Sequence, residues 1–393
     1  MALASLAALA LAGCSVNPSL WGDSRSAPPV VQQPAAPQTV NINTEGIKVA
    51  LLVPMSGPGD TANVGRALKQ AGELAMFDSG DPGIVLITKD TRGNPQGAQA
   101  AAQEALNEGA QLIIGPLLST EVQAVSPLAR QNNVPVIAFS SSSNVAGPGT
   151  YLMSFLPEQE VASVAGYTVR QGRKNIAAMI PKDQYGATVE RGLIEAVQSN
   201  GGQVVVTARY ARAPGGINDA VRQIAEAVND PSRNVQAVLL PDGSDYLRQI
   251  GAGLQQAGVE PQRVKMIGTG LWDSPVARTT PISLGGWYAG VTPQMVTRFE
   301  QRYQSTYGDT PPRLASLAYD AVSLSIALAK APEGQRFSRE QLTNPEGYQG
   351  VNGLFRFRSD GRIERGLAIL EVTPQGPQVI ENPPGRFTGS SSF

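Results

Sequence analysis

The sequence predicts an α/β protein built from two doubly wound parallel sheets, and three observations predict it. Near-continuous apolar runs such as Ile47 to Val53 (IKVALLV) have the character of strands covered on both faces. They alternate with stretches whose apolar residues recur at helical spacing, the order that produces a parallel sheet. After Pro157 the alternation begins again, as a second sheet would require.

The organising stretch runs from Ala110 to Ser143. Leu112 to Ile114 reads as a short strand stopped by Gly115-Pro116. Ser119 and Thr120 stand where a helix N-cap belongs, ahead of Val122, Val125, Leu128 and Ala129 at helical spacing. A second strand, Val134 to Phe139, ends in the run Ser140 to Ser143. A crossover helix between parallel strands brings both C-terminal ends to one side, so Ser119-Thr120 and the serine run are expected to share a crevice. Hydroxyls and free helix N–H groups there suit a small polar or anionic ligand.

Before this stretch, Ile47 to Val53 and Ile84 to Thr88 read as strands, with helices around Val64 to Leu74 and from about Gln96 to Asn107. Beyond Pro157, strands are expected at Ile176 to Ile180, 203–210, Val235 to Leu240 and Val264 to Ile267, with helices between them, and Gly285 to Val291 leads on from there. Long helical patterns follow at about 293–307 and 313–330. Leu354 to Phe357 and Leu367 to Val372, separated by Ser359-Asp360-Gly361, read as an antiparallel ribbon.

Composition narrows the function. At 393 residues, 41% hydrophobic and 16% charged, the chain is globular with room for two domains. A net charge of −1 without a basic run offers nothing to nucleic acid. Histidine is absent, which removes Ser-His-Asp and Cys-His catalysis, and no lysine stands three residues after a serine. No enzyme activity, cofactor or metal is expected. The turn Gly57-x-Gly59-x-x-Ala62, with Asp90 ending the next strand, has the spacing of a dinucleotide fingerprint, but no proton-transfer pair accompanies it.

The single cysteine, Cys14, closes Leu11-Ala12-Gly13-Cys14 after an Ala/Leu-rich run too short to span a bilayer. This resembles the bacterial lipobox, which implies a signal peptide over 1–13 and a lipid on Cys14 anchoring the protein to a membrane. Ser15 is not the aspartate associated with inner-membrane retention in enteric bacteria, so an outer-membrane anchor facing the periplasm is expected. Residues 14–46, with Pro28, Pro29, Pro34 and Pro37, read as a tether reaching roughly 3 Å per residue when extended.

Four motifs in order carry a family resemblance: Val53-Pro54-Met55-Ser56-Gly57-Pro58, Asp90-Thr91-Arg92-Gly93-Asn94-Pro95, Ile114-Gly115-Pro116 with Ser119, and Lys182-Asp183-Gln184-Tyr185-Gly186. Over about 47–375 the chain resembles the type I periplasmic-binding fold of the Leu/Ile/Val-binding proteins. The resemblance implies two lobes joined by a three-strand hinge with crossings near 157, 290 and 345. Lobe 1 is then 47–157 plus 291–345 and lobe 2 is 158–290 plus 346–380, with 381–393 a loose tail. It also implies a ligand held by Ser119, Ser141 and Ser143 on lobe 1 and covered by Tyr185 from lobe 2, and a permease of an ABC transporter as partner.

Where amino-acid binders carry an aromatic after the first strand this chain has Val64, and where they carry the acid that receives a ligand ammonium it has Gly270, with Asp273 three residues on. A free amino acid would lack its cationic anchor. A closer resemblance, to the penicillin-binding protein activator lipoproteins, rests on Gly115-Pro116-Leu117-Leu118 with Glu121-Val122, Ala138-Phe139-Ser140, Val145 to Gly149, and Pro157-Glu158-Gln159-Glu160-Val161. It implies regulation of peptidoglycan synthesis through a bifunctional penicillin-binding protein. The alternative is an ABC-transporter solute receptor for an amino-acid-like or other small polar ligand.

Overall fold

The computed structural model describes residues 46–80 and 82–387. The expected signal peptide, Cys14, the tether up to residue 45 and residues 388–393 of the tail lie outside the described residues.

The first lobe opens with β1 (Ile47–Val53), α1 (Asp60–Ser79), β2 (Ile84–Asp90), α2 (Pro95–Asn107), β3 (Leu112–Ile114), α3 (Ser119–Gln131), β4 (Val136–Ala138) and β5 (Thr150–Leu152). Its strands pair in parallel in the order β2-β1-β3-β4-β5. Every residue of β3 and β4 is buried, which is why these strands read as unbroken apolar runs.

The second lobe follows with α4 (Pro157–Arg170), β6 (Asn175–Pro181), α5 (Gln184–Ser199), β7 (Gln203–Tyr210), α6 (Asn218–Asn229), β8 (Ala237–Leu239), α7 (Asp245–Gln256), β9 (Lys265–Gly268), α8 (Pro275–Thr279) and β10 (Trp287–Gly290). Along β6 the side chains alternate between two cores: Ala177 and Met179 join one, Ile176, Ala178 and Ile180 the other. This sheet is therefore covered on both faces.

The chain then returns to the first lobe as α9 (Pro293–Tyr307), α10 (Ala315–Ala329) and α11 (Arg339–Leu342), with Phe299, Leu317 and Leu342 in the first core. Three short strands follow, β11 (Tyr348–Gly350), β12 (Gly353–Phe357) and β13 (Ile363–Arg365), paired antiparallel in a small sheet of their own. Last come β14 (Ala368–Thr373) and β15 (Gly376–Glu381), which extend the second sheet to the order β15-β14-β10-β9-β8-β6-β7. Glu381, placed in the tail by the sequence reading, ends β15.

Two expectations need correction here. The Ser359-Asp360-Gly361 turn does not join a ribbon with Leu367 to Val372: it joins β12 to β13, while β14 pairs with β10 and β15. Residues 346–365, assigned above to lobe 2, place Phe355, Phe357 and Ile363 in the first core, so the third crossing falls between Arg365 and Ala368 instead of near 345. The cause is local. Gly361, at φ +83°, has no room for a Cβ against the Thr150 carbonyl, and its own carbonyl accepts the Leu152 N–H at 2.8 Å, fastening the turn to β5.

Candidate functional site

The wall contributed by the first lobe begins at α3. Leu118 occupies the N-cap position with extended backbone, and its apolar side chain accepts nothing. The helix start is organised instead by Glu121, whose carboxylate accepts the Leu118 N–H at 3.1 Å. The expected cap at Ser119 or Thr120 is thus displaced, and Ser119, half-buried, is the first helical residue with no capping bond to make. At the end of β4, the buried Ser140 accepts the Ser142 N–H at 3.2 Å. Ser141 is exposed and Ser143 half-buried. Because β3 and β4 are adjacent and parallel, Ser119, Ser141 and Ser143 follow neighbouring strand ends.

Behind this wall lie two acids. Asp90 accepts Ser56 Oγ at 2.5 Å and the Arg92 N–H at 2.9 Å. Burial pushes its pKa up, but these bonds outweigh it and hold the carboxyl below its usual range. With Asp90 already spent on Ser56, the Gly57–Ala62 turn is a poor fit for a dinucleotide. Glu121 is fully buried; burial, foremost, raises its pKa, with the nearby Thr91 hydroxyl and the bond from the Leu118 N–H working against the rise. No well-formed bond closes onto Glu121 Oε1 or the Thr91 hydroxyl, and both are unpartnered.

On the second lobe, Asp183 caps α5 by accepting the Gly186 N–H at 2.8 Å, which sets Tyr185 in the first turn. The Tyr185 hydroxyl lies 2.9 Å from Thr269 Oγ1, just after β9, and the Arg212 guanidinium lies 5.8 Å from the ring centre. Burial, foremost, raises the Tyr185 pKa. Asp273 is exposed after the short turn Gly270–Trp272. Its charge acts on Tyr288 of its own lobe and on Glu300 of the first, raising both pKa values in addition to the larger effect of burial. No hydrogen bond among the described residues joins Ser119, Ser141 or Ser143 to Tyr185 or Asp273.

The lobes are joined by other side chains. Arg313 donates from Nη2 to Glu160 Oε1 at 3.1 Å and from Nη1 to the Gly270 carbonyl at 3.0 Å. Glu160 Oε2 accepts the Gly270 N–H at 3.0 Å. A Cβ at position 270 would overlap the Glu160 carboxylate. Where the sequence comparison expects an acid on residue 270, the structure places the carboxylate of Glu160, delivered by α4. Close by, Arg365 at the end of β13 donates from Nε to the Ser154 carbonyl at 2.9 Å and stacks 4.9 Å from the Phe155 ring centre. Burial pushes its pKa down to about 10.

A model of the periplasmic binding protein family matches residues 46–377. The chain belongs to that family. Its fold is the type I periplasmic-binding fold, an α/β architecture of two lobes with parallel sheets: a putative branched-chain amino acid ABC transporter from Rhodospirillum rubrum superposes with a TM-score of 0.73 at 21% identity, covering 85% of this chain and 100% of that one. Among curated relatives, a Leu/Ile/Val-binding protein homolog 6 from Brucella melitensis is 26% identical over 227 residues, 54% of this chain and 57% of that protein. The penicillin-binding protein activator LpoA of Yersinia pestis is 25% identical over 178 residues, 44% of this chain and 26% of that protein. The chain spans little more than half the length of the Leu/Ile/Val-binding protein homologs from Brucella that it matches. Membership points to an extracytoplasmic location.

Sequence reasoning missed Thr269, Arg313 and Arg365. Glu160 lay inside a motif already singled out, but nothing in Pro157-Glu158-Gln159-Glu160 tells which acid turns inward. Arg313 follows Pro311-Pro312, a pattern that marks only a helix boundary.

Proposed function

We propose that this protein is a non-catalytic solute receptor that takes a small polar or anionic ligand between its lobes and presents it to the permease of an ABC transporter. The observation that carries this reading is the pairing of uncommitted hydroxyls at Ser119, Ser141 and Ser143 with the N-terminus of α3, on a fold shared with ABC-transporter binding proteins. Hydroxyls and helix N–H groups recognise a carboxylate. Tyr185 closes over the ligand from the second lobe, and Asp273 borders the same cleft. The absence of histidine is in keeping with binding and no chemistry. The anchor belongs to the same proposal: lipid on Cys14 and the tether up to residue 46 keep the lobes near a membrane, the outer one if Ser15 acts as expected.

The test is calorimetry and thermal shift with leucine, isoleucine and benzoate on the parent chain and on Ser119→Ala with Ser143→Ala. Saturable binding of one carboxylate, weakened in the double variant, supports the receptor. A response to none of them would count against it.

A second reading has its own support in the partial match to LpoA and in the resemblance of the motifs around Gly115, Ala138 and Pro157 to the activator lipoproteins. In that reading the lobes are a surface for a bifunctional penicillin-binding protein. A membrane-confined domain needs only modest affinity for such a partner. Faster glycan polymerisation by a purified synthase on addition of the full chain would favour activation over transport.

A further inference from the structure

We propose that Arg313 acts as an internal ligand, latching the two lobes together through Glu160 and Gly270 when no solute is bound. Arg313 belongs to the first lobe: it stands two residues ahead of α10, whose Ala315 and Leu317 enter the first core. Glu160 belongs to the second, on α4 beside Val161 and Val164 of a second-lobe core, and Gly270 follows β9 of the same lobe. The contact therefore crosses between lobes.

Every element of the contact is spent internally. Glu160 gives one oxygen to Arg313 and the other to the Gly270 N–H, so both carboxylate oxygens are engaged within the contact. Arg313 grips both the acid and the Gly270 carbonyl, and its guanidinium lies flat enough on Phe155 to sit 4.0 Å from the ring centre. Glu160 has 7% of its side chain exposed, against 31% for Arg313. Drawing the lobes apart would strand the more buried partner without its counter-charge, and a buried unpaired carboxylate is strongly unfavourable. Glycine at 270 is the enabling residue, since any side chain there would occupy the place the Glu160 carboxylate fills. In a two-lobed fold that closes on a ligand, a resident guanidinium bridging both lobes does the closing itself. This holds whether or not the cleft takes a solute, and so goes beyond the receptor reading.

The experiment measures lobe separation in the full chain with no solute added. Cys14→Ser removes the native thiol, and spin labels go on Gln123→Cys and Lys182→Cys, exposed positions on opposite lobes. The parent is expected to give one narrow distance distribution. Arg313→Met and Glu160→Gln should shift it to longer distance and broaden it about twofold. Arg313→Lys, which keeps the charge but loses the planar fork, should fall between them. Arg302→Met, which breaks the Asp78 pair inside the first lobe, should change nothing. If Glu160→Gln fails to fold by circular dichroism, the Arg313 variants decide. A distribution in Arg313→Met equal to that of the parent would overturn the latch.

Discussion

The hydroxyl of Tyr185 is held 2.9 Å from that of Thr269, a residue with no solvent exposure at all. The ring assigned to cover the cleft is thus fastened to the end of β9 and is not free to swing. Tyr185→Phe removes one bond and leaves the buried Thr269 hydroxyl without its partner. A loss of about 1 kcal/mol in unfolding free energy is expected, measured by urea titration. The slope of that titration should stay unchanged, because the ring still packs.

Glu121 makes stability depend on pH in an unusual direction. Its folded pKa lies above the ordinary value of 4.5, so the folded state binds the proton more tightly than the unfolded chain does. Its contribution is therefore full below about pH 4.5 and is lost as pH rises through the folded pKa. Glu121→Gln removes the buried charge while its amide oxygen still accepts the Leu118 N–H, and the new amide donor faces the unpartnered Thr91 hydroxyl. At pH 7 the variant should be about 1–3 kcal/mol more stable than the parent. The difference should shrink as the pH is lowered toward 4.5.

Ser119 caps nothing, so Ser119→Ala should leave unfolding free energy within about 0.5 kcal/mol of the parent. A residue whose hydroxyl is reserved for a ligand would instead show its loss in binding. For the carboxylate that responds in calorimetry, the dissociation constant should rise on the order of tenfold or more.

Gly361→Ala meets both a positive φ and the Thr150 carbonyl. A destabilisation of more than about 1 kcal/mol is expected, with faster amide exchange in β12 and β13 than in β1.

Cys14→Ser tests the anchor. In cells, the parent should sediment with membranes and the variant should appear in the soluble periplasmic fraction.

Much of the architecture was legible because its signals are local. The apolar runs of β1, β3, β6 and β8 need no knowledge of their neighbours to be read as buried strands. The β12–β14 region misled because Leu354 to Phe357 and Leu367 to Val372 both look like strands of one hairpin, while their partners are decided by Gly361 docking on β5, far away in sequence. The site divides in the same way. Ser119, Ser141 and Tyr185 follow strand ends, a placement that the strand order alone predicts. Arg313 and Glu160 meet across 153 residues of chain, and no spacing rule brings them together.

The late return of the chain to both lobes has a consequence for the order in which the protein can be finished. The first core waits for Ile363 and the second for Val372, so both stay unsealed until the chain has made its late return to each lobe. Neither half can be completed as an independent early product. A chain cut ahead of Ile363 is therefore deprived of a core residue in both lobes at once.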